Sequence, residues 1–400
     1  MIKRKDYLDK ITPFIDKELI KVLTGVRRSG KSFMLELIKD ELILRGVDKE
    51  NFISFNFEDM SYSNLLNAVA LHEKVSELIL KKSGKVYLFF DEIQEVDNWE
   101  KAINSLRVKF DCDIYITGSN AKLLSSELAT YLSGRYVEFI IYPFSFKEFT
   151  QLYTDEFPNS DERTIFKEYL ILGGMPYLNN LRFEKEPSKL YLRDLYNALV
   201  LKDVVKRNNI RDIDLLERII SYITVNIGTT FSATSVSKYF KNEGRVVAPE
   251  TILNYIKACE SAFLFYRAKR EELQGKKILS TNEKYYIADC GIREAVFGSN
   301  MKDINLIFEN IVYMELIRRG YTVTVGKVGD KEINFVAKKQ NEKLYVQVAY
   351  LLASTETIER EFSVLESISD NFPKYVVSAD EFDMSRNGII HKNIIDFLQN

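Results

Sequence analysis

Histidine and cysteine are scarce in this sequence: two histidines, His72 and His391, and three cysteines, Cys112, Cys259 and Cys290, in 400 residues. The histidines stand in unrelated, strongly charged surroundings, which argues against histidine acid–base chemistry. The cysteines are odd in number and lack metal-ligand spacing, so they read as buried hydrophobes in a reducing compartment. Long apolar runs are missing too. The strongest, Val86 to Phe90, is far too short to span a bilayer, and Met1 to Lys10 has no apolar stretch behind its basic residues; the expectation is a cytoplasmic protein with no membrane partner. Nor does one sign of charge dominate. Lys and Arg total 56 against 58 Asp and Glu, a formal charge of -2, so no global field would hold a polyanion and any nucleic-acid contact must be local.

What is present is an ordinary globular composition, 46% hydrophobic and 28% charged, on a chain too long for one core. No internal repeat or low-complexity tract stands out. The first third alternates strand-like and helical patterns: Leu19 to Thr24, a helix from Lys31 to Arg45, Phe52 to Phe57, a helix around Leu65 to Lys82, Val86 to Phe90, a helix from Trp99 to Phe110, and Cys112 to Thr117. A short helical stretch from Ala121 to Tyr131 and a run from Tyr136 to Tyr142 follow, ended by Pro143. This alternation predicts an α/β domain with a parallel sheet flanked by helices. Residues 146–210 read as a helical lid or connector. Residues 211–290 read as three helices and a hairpin, the pattern of a winged helix. Residues 291–400 read as a separate mixed domain: a helix, three strands, a helix and a strand.

Gly25-Val26-Arg27-Arg28-Ser29-Gly30-Lys31-Ser32 has the G-x-x-x-x-G-K-S spacing, after one strand and before one helix. The glycines let backbone N–H groups turn inward around phosphates, Lys31 reaches the β- and γ-phosphates, and the Ser32 hydroxyl takes a place on Mg²⁺. Val86 to Phe90 is a buried strand ending in Asp91-Glu92, two carboxylates that packing does not explain, at the strand end where ligands bind in parallel sheets. Asp91 is assigned to the metal ion through water, and Glu92 to activating the attacking water. The strand Ile114 to Thr117 runs into Gly118-Ser119-Asn120, so one of Thr117, Ser119 or Asn120 holds the water or the γ-phosphate; Asn120 is preferred. Arg135 starts a strand read as lying near the same sheet end, where a cation would stabilise the transferring phosphoryl group, although a plain surface arginine fits as well.

With Thr117-Gly118-Ser119-Asn120, Leu132-Ser133-Gly134-Arg135-Tyr136 and Tyr142-Pro143-Phe144-Ser145-Phe146, these motifs resemble prokaryotic AAA-type P-loop ATPases. More narrowly, Leu172-Gly173-Gly174-Met175-Pro176 and Glu309-Asn310-Ile311-Val312-Tyr313 are similar to the group that joins such a core to a C-terminal domain of unknown function 4143. The resemblance implies a five-stranded sheet with the P-loop strand central, assembly into homo-oligomers, and an arginine offered to a neighbour's nucleotide, a role that falls on Arg135. The expected domains are an ATPase core at 1–145, the connector at 146–210, a winged-helix-like domain at 211–290, and a C-terminal restriction-endonuclease-like domain at 291–400.

The winged-helix candidate presents Ile252, Tyr255, Ile256 and Cys259 as a core stripe, with little positive charge outside it. Lys269, Arg270, Lys276 and Lys277 in the hairpin offer weak DNA contact, but protein packing suits the segment equally. The last domain is similar to the core of PD-(D/E)xK nucleases. Glu309 suits the helix acid, but Asn334 stands where an acid is needed, and Gln347 and Ala349 occupy the E-x-K positions; Glu332 is the one further acid on that strand face. Neutral amides cannot supply the charge that holds Mg²⁺, so no phosphodiester cleavage is expected. The sequence therefore points to an ATP-binding, Mg²⁺-dependent ATPase coupling hydrolysis to rearrangement of its C-terminal binding domains. The alternatives are a nucleotide-gated DNA- or protein-binding module with slow turnover and, behind it, a metal-dependent nuclease.

Overall fold

The computed structural model describes residues 2–121, 132–273, 277–298 and 301–400, and for 277–282 and 301 the backbone only. The chain divides into two compact units, residues 1–142 with 261–263, and residues 143–260 with 264–400. The helical stretch expected at Ala121 to Tyr131 falls outside the described residues except for Ala121.

The first unit is built on strands β1 (Ile20–Thr24), β2 (Phe52–Asn56), β3 (Val86–Asp91), β4 (Cys112–Thr117) and β5 (Tyr136–Ile140), with helices α1 (Lys5–Ile11), α2 (Lys31–Leu44), α3 (Ala68–Ile79) and α4 (Trp99–Lys109). Every residue of β1 and β3 is buried, as expected of parallel strands covered on both faces. Val22, Leu88, Phe90, Ile114 and Ile116 from the sheet pack with Leu71 and Val75 of α3 and Ile103 and Leu106 of α4. Asn67 fixes the start of α3 by accepting from the Ala70 N–H at 2.9 Å.

All pairings in this sheet are parallel, in the order β2-β3-β4-β1-β5. The five strands agree with the resemblance. The strand before the glycine loop is interior but second from an edge, and the middle strand is β4. Because β4 is inserted between β1 and β3, the residues that follow it emerge between the glycine loop and the acidic pair.

The second unit begins with α5 (Phe146–Glu156), held at its start by a capping box between Ser145 and Glu148. Helices α6 (Glu162–Leu172) and α7 (Lys185–Ala198) follow, α7 continuing as a π-helix over Leu199–Lys206. Then come α8 (Ile213–Val225), α9 (Ala233–Asn242) and α10 (Pro249–Ser261), in which Ile252, Ile256 and Cys259 are buried. Strands β6 (Phe265–Glu272) and β7 (Lys277–Ile287) form the hairpin, followed by α11 (Cys290–Phe297) and α12 (Ile304–Arg318). The chain ends with β8 (Thr322–Val328), β9 (Lys331–Lys339), β10 (Glu342–Val348), α13 (Thr355–Glu366), β11 (Lys374–Ser378), β12 (Ile389–Asn393) and α14 (Ile394–Gln399).

These strands make one mixed sheet in the order β12-β11-β10-β9-β8-β6-β7. The hairpin read from sequence as a wing is therefore not a free wing: β6 pairs in parallel with β8, so one sheet runs across the boundary expected at residue 290. The Gly173-Gly174 pair serves close packing. A Cβ on Gly174 would sit 2.2 Å from the Phe144 carbonyl oxygen, and one on Gly291 would sit 1.9 Å from that of Leu172. Among the described residues, no helix is long and apolar enough to cross a membrane.

Candidate active site

The loop between β1 and α2 turns on two glycines in left-handed backbone, Gly25 at φ 137° and Gly30 at φ 99°. Gly25 has a second constraint, because a Cβ there would lie 2.2 Å from the Ile141 carbonyl oxygen. Gly30 is also the N-cap of α2 and brings no side chain to its first N–H groups. Val26 and Ser29 are fully buried, and the Ser29 hydroxyl has no hydrogen-bond partner among the described residues. Arg28 is exposed in left-handed backbone, and Arg27 pairs with Glu58 at 2.7 Å. The Lys31 ammonium donates to the Gly25 and Val26 carbonyls, both at 3.2 Å, and lies 3.9 Å from the Glu92 carboxylate.

The acidic pair takes two different environments. Asp91 accepts from the hydroxyls of Thr117 and Ser32; burial nevertheless pushes its carboxyl above the usual carboxylate range. Burial acts on Glu92 as well, but the Lys31 ammonium and hydrogen bonds from Ser119 and Gln94 outweigh it and hold Glu92 below that range. Glu92 also sits at φ 52°, an uncommon conformation for a residue with a Cβ and one that concentrates at functional sites. Its N–H donates to Thr117 Oγ1 at 2.9 Å. The result is an ionised carboxylate at a sheet edge, fixed through both backbone and side chain.

Of the three candidates at the end of β4, Thr117 and Ser119 bond the acidic pair, and Asn120 follows them with 3% exposure. Sequence reasoning named Ser119 without preferring it. No spacing rule singles it out, because its importance comes from the position of β4 beside β3. Arg135 requires a correction. Its carbonyl accepts from the N–H of Ile20, the first residue of β1, whereas the glycine loop follows the last. In a parallel sheet these are opposite edges, so Arg135, bonded to Asn104 of α4 at 3.2 Å, lies away from the loop of its own chain.

A second polar cluster lies within the larger sheet. Lys284 of β7 places its ammonium 3.0 Å from Glu309 of α12 and 2.8 Å from Glu332 of β9. Asn334 donates from its side chain to Glu309 at 2.8 Å and from its backbone to Gln347 at 3.1 Å, and Gln347 donates to Glu361 at 2.7 Å. Burial works against the Lys284 charge, but the two carboxylates overcome it and push the ammonium above its ordinary value. Of the degenerate nuclease set, Glu309, Glu332, Asn334 and Gln347 come together, joined by Lys284, which sequence reading did not include. Ala349 is buried beyond the end of β10. Of the basic hairpin residues, Arg270 is bonded to Glu332, Lys269 is exposed, and Lys276 and the Lys277 side chain lie outside the described residues.

Comparison with known proteins gives two domain matches. Residues 17–150 match the model of an AAA domain, and residues 163–303 match a domain of unknown function, DUF8612, a different number from the one the resemblance suggested. An uncharacterized protein of Haemophilus influenzae is 38% identical over 400 residues, 100% of this chain and 98% of that protein. An uncharacterized protein of Methanocaldococcus jannaschii is 31% identical over 361 residues, 87% of this chain and 78% of that protein. Among solved structures, ORC1 of Aeropyrum pernix in complex with DNA covers 73% of this chain and 91% of its own at 10% identity, with a TM-score of 0.32, too loose a likeness to carry function. The chain belongs with the Haemophilus and Methanocaldococcus proteins to one family, and it carries an N-terminal AAA domain followed by a domain of unknown function.

Proposed function

We propose that the first unit is a Mg²⁺-dependent ATPase. The observation that carries this reading is Glu92: an ionised carboxylate at the carboxyl edge of a parallel sheet, held by Ser119 and Gln94, 3.9 Å from the ammonium of the loop lysine. The residues fit a nucleotide phosphate: a glycine loop, an uncapped helix start, and the buried Ser29 hydroxyl, without a partner among the described residues. They fit Mg²⁺ as well, since Ser32 and Asp91 are already joined and a buried carboxyl with a raised pKa is one that a cation would compensate. When bound, Mg²⁺ would neutralise charge on the phosphates. Asp91 and Ser32 would hold it, Lys31 would bind the phosphate tail, and Glu92 would accept a proton from the attacking water. Phosphate release tests this: Lys31→Ala should lose binding and turnover, and Glu92→Gln should keep nucleotide while losing turnover. Unchanged release by Lys31→Ala would remove the enzymatic claim.

In this reading Arg135 acts on the nucleotide of a neighbouring copy, within a homo-oligomer. Hydrolysis is coupled to rearrangement of the second unit, whose helices α8 to α10 and hairpin form a winged-helix-like binding module for protein or DNA. Its C-terminal sheet is read as a PD-(D/E)xK-like core without nuclease activity, because the Lys284 ammonium takes the place between Glu309 and Glu332 that a catalytic cation would need. DNA incubated with the protein and Mg²⁺ or Mn²⁺ should stay intact.

A further inference from the structure

A phosphate-binding loop works by turning its N–H groups inward, which leaves its carbonyls pointing outward and in need of partners of their own. In this chain one such carbonyl, that of the fully buried Ser29, accepts from Arg4 Nη1 at 3.1 Å. The other arm of the same guanidinium, Nη2, donates to the Tyr142 carbonyl at 2.9 Å. Arg4 is 2% exposed, and its guanidinium carbon sits 4.5 Å from the centroid of the Tyr7 ring. The Tyr7 hydroxyl in turn accepts from the Tyr142 N–H at 3.1 Å. A planar fork that reaches two carbonyls 113 residues apart is a rigid brace, which a flexible ammonium would not reproduce.

The braced segment is the one against which the loop begins. Ile141 N–H donates to Thr24 at 2.7 Å, and the Ile141 carbonyl is the atom that a Cβ on Gly25 would strike. Both ends of the loop therefore rest on residues 141–142, Gly25 by direct contact and Ser29 through Arg4. We propose that Arg4 is a positioning residue for phosphate binding: it locks the outward face of the loop so that its N–H groups are set for the phosphate tail before the nucleotide arrives. Arg4 acts through the loop's backbone carbonyl, so its effect belongs to binding rather than to the chemical step. This inference rests on the nucleotide reading of the same loop.

The test is steady-state ATPase kinetics and calorimetry with ATP and with inorganic tripolyphosphate, on wild type, Arg4→Met, Arg4→Lys and Lys31→Ala. Arg4→Met should raise KM for ATP and weaken both ligands by about 10- to 100-fold, the loss expected when charge-assisted bonds to buried carbonyls are left unmade, while kcat stays within about threefold. Arg4→Lys, which keeps the charge but not the fork, should fall between the two and serves as the folded comparison if Arg4→Met is unstable. A general loss of stability would lower kcat and the active fraction together instead of raising KM alone. Wild-type KM in either Arg4 variant, with binding abolished by Lys31→Ala, would overturn the role of Arg4 alone. Retained tripolyphosphate binding in Lys31→Ala would overturn the nucleotide reading, and this one with it.

Discussion

The Ser119 hydroxyl lies 2.7 and 2.9 Å from the two carboxylate oxygens of Glu92, bonding the side chain that the proposed mechanism uses as its base. Removing that hydroxyl leaves the Lys31 ammonium and Gln94 to orient the carboxylate. Ser119→Ala should lower kcat for phosphate release by about 10- to 100-fold, the range for losing a hydrogen bond to a charged group, with little change in ATP affinity measured by calorimetry.

Lys284 is the shared cation of Glu309 and Glu332. Breaking a buried ion pair from one side strands the other charge, so Lys284→Met should destabilise the second unit by about 3–5 kcal/mol in urea denaturation. The double variant Lys284→Met with Glu309→Gln should recover part of that loss. If both variants melted like wild type, the cluster would have no structural weight.

Asp289 is buried and accepts N–H bonds from Gly174 at 2.7 Å and Ile292 at 3.1 Å; burial outweighs these bonds and pushes its carboxyl up to about 6. The folded state therefore holds this proton more tightly than the unfolded chain, whose carboxyl titrates near 4. Its contribution to stability is fully present below about pH 4 and is lost as pH rises through about 6, an effect on the order of 3 kcal/mol. Comparing urea midpoints of wild type and Asp289→Ala at pH 5 and pH 7.5 should show a smaller pH-dependent fall in the variant.

The close approach at Gly174 leaves no room for a methyl group, because the obstructing atom is backbone and cannot swing aside. Gly174→Ala should cost more than about 3 kcal/mol or prevent soluble expression, whereas Gly244→Ala, with open space around it but φ at +82°, should cost only about 1 kcal/mol.

Much of this architecture is legible in the residues themselves. The alternation of apolar runs with helical periodicity gives the α/β class, and the spacing from Gly25 to Ser32 and the ending of β3 in Asp91-Glu92 give the loop and the acidic pair. What periodicity cannot convey is which strand lies beside which, since it specifies the faces of a strand and not its neighbours. For that reason the sequence alone does not show that Ser119 reaches Glu92, that Arg135 lies at the sheet end away from the glycine loop, or that the β6–β7 hairpin continues into the larger sheet. Lys284 escaped for a related reason. A lysine that follows Ser280-Thr281-Asn282-Glu283 looks solvated until the fold brings two distant glutamates against it.

The lysine between those glutamates also means that this part of the molecule carries its own counter-ion. A folded core that supplies its positive charge by a covalent side chain cannot be emptied by dialysis, so EDTA should leave the melting of the second unit unmoved, and any chelator sensitivity of the whole protein would then report on the Asp91 site of the first unit instead.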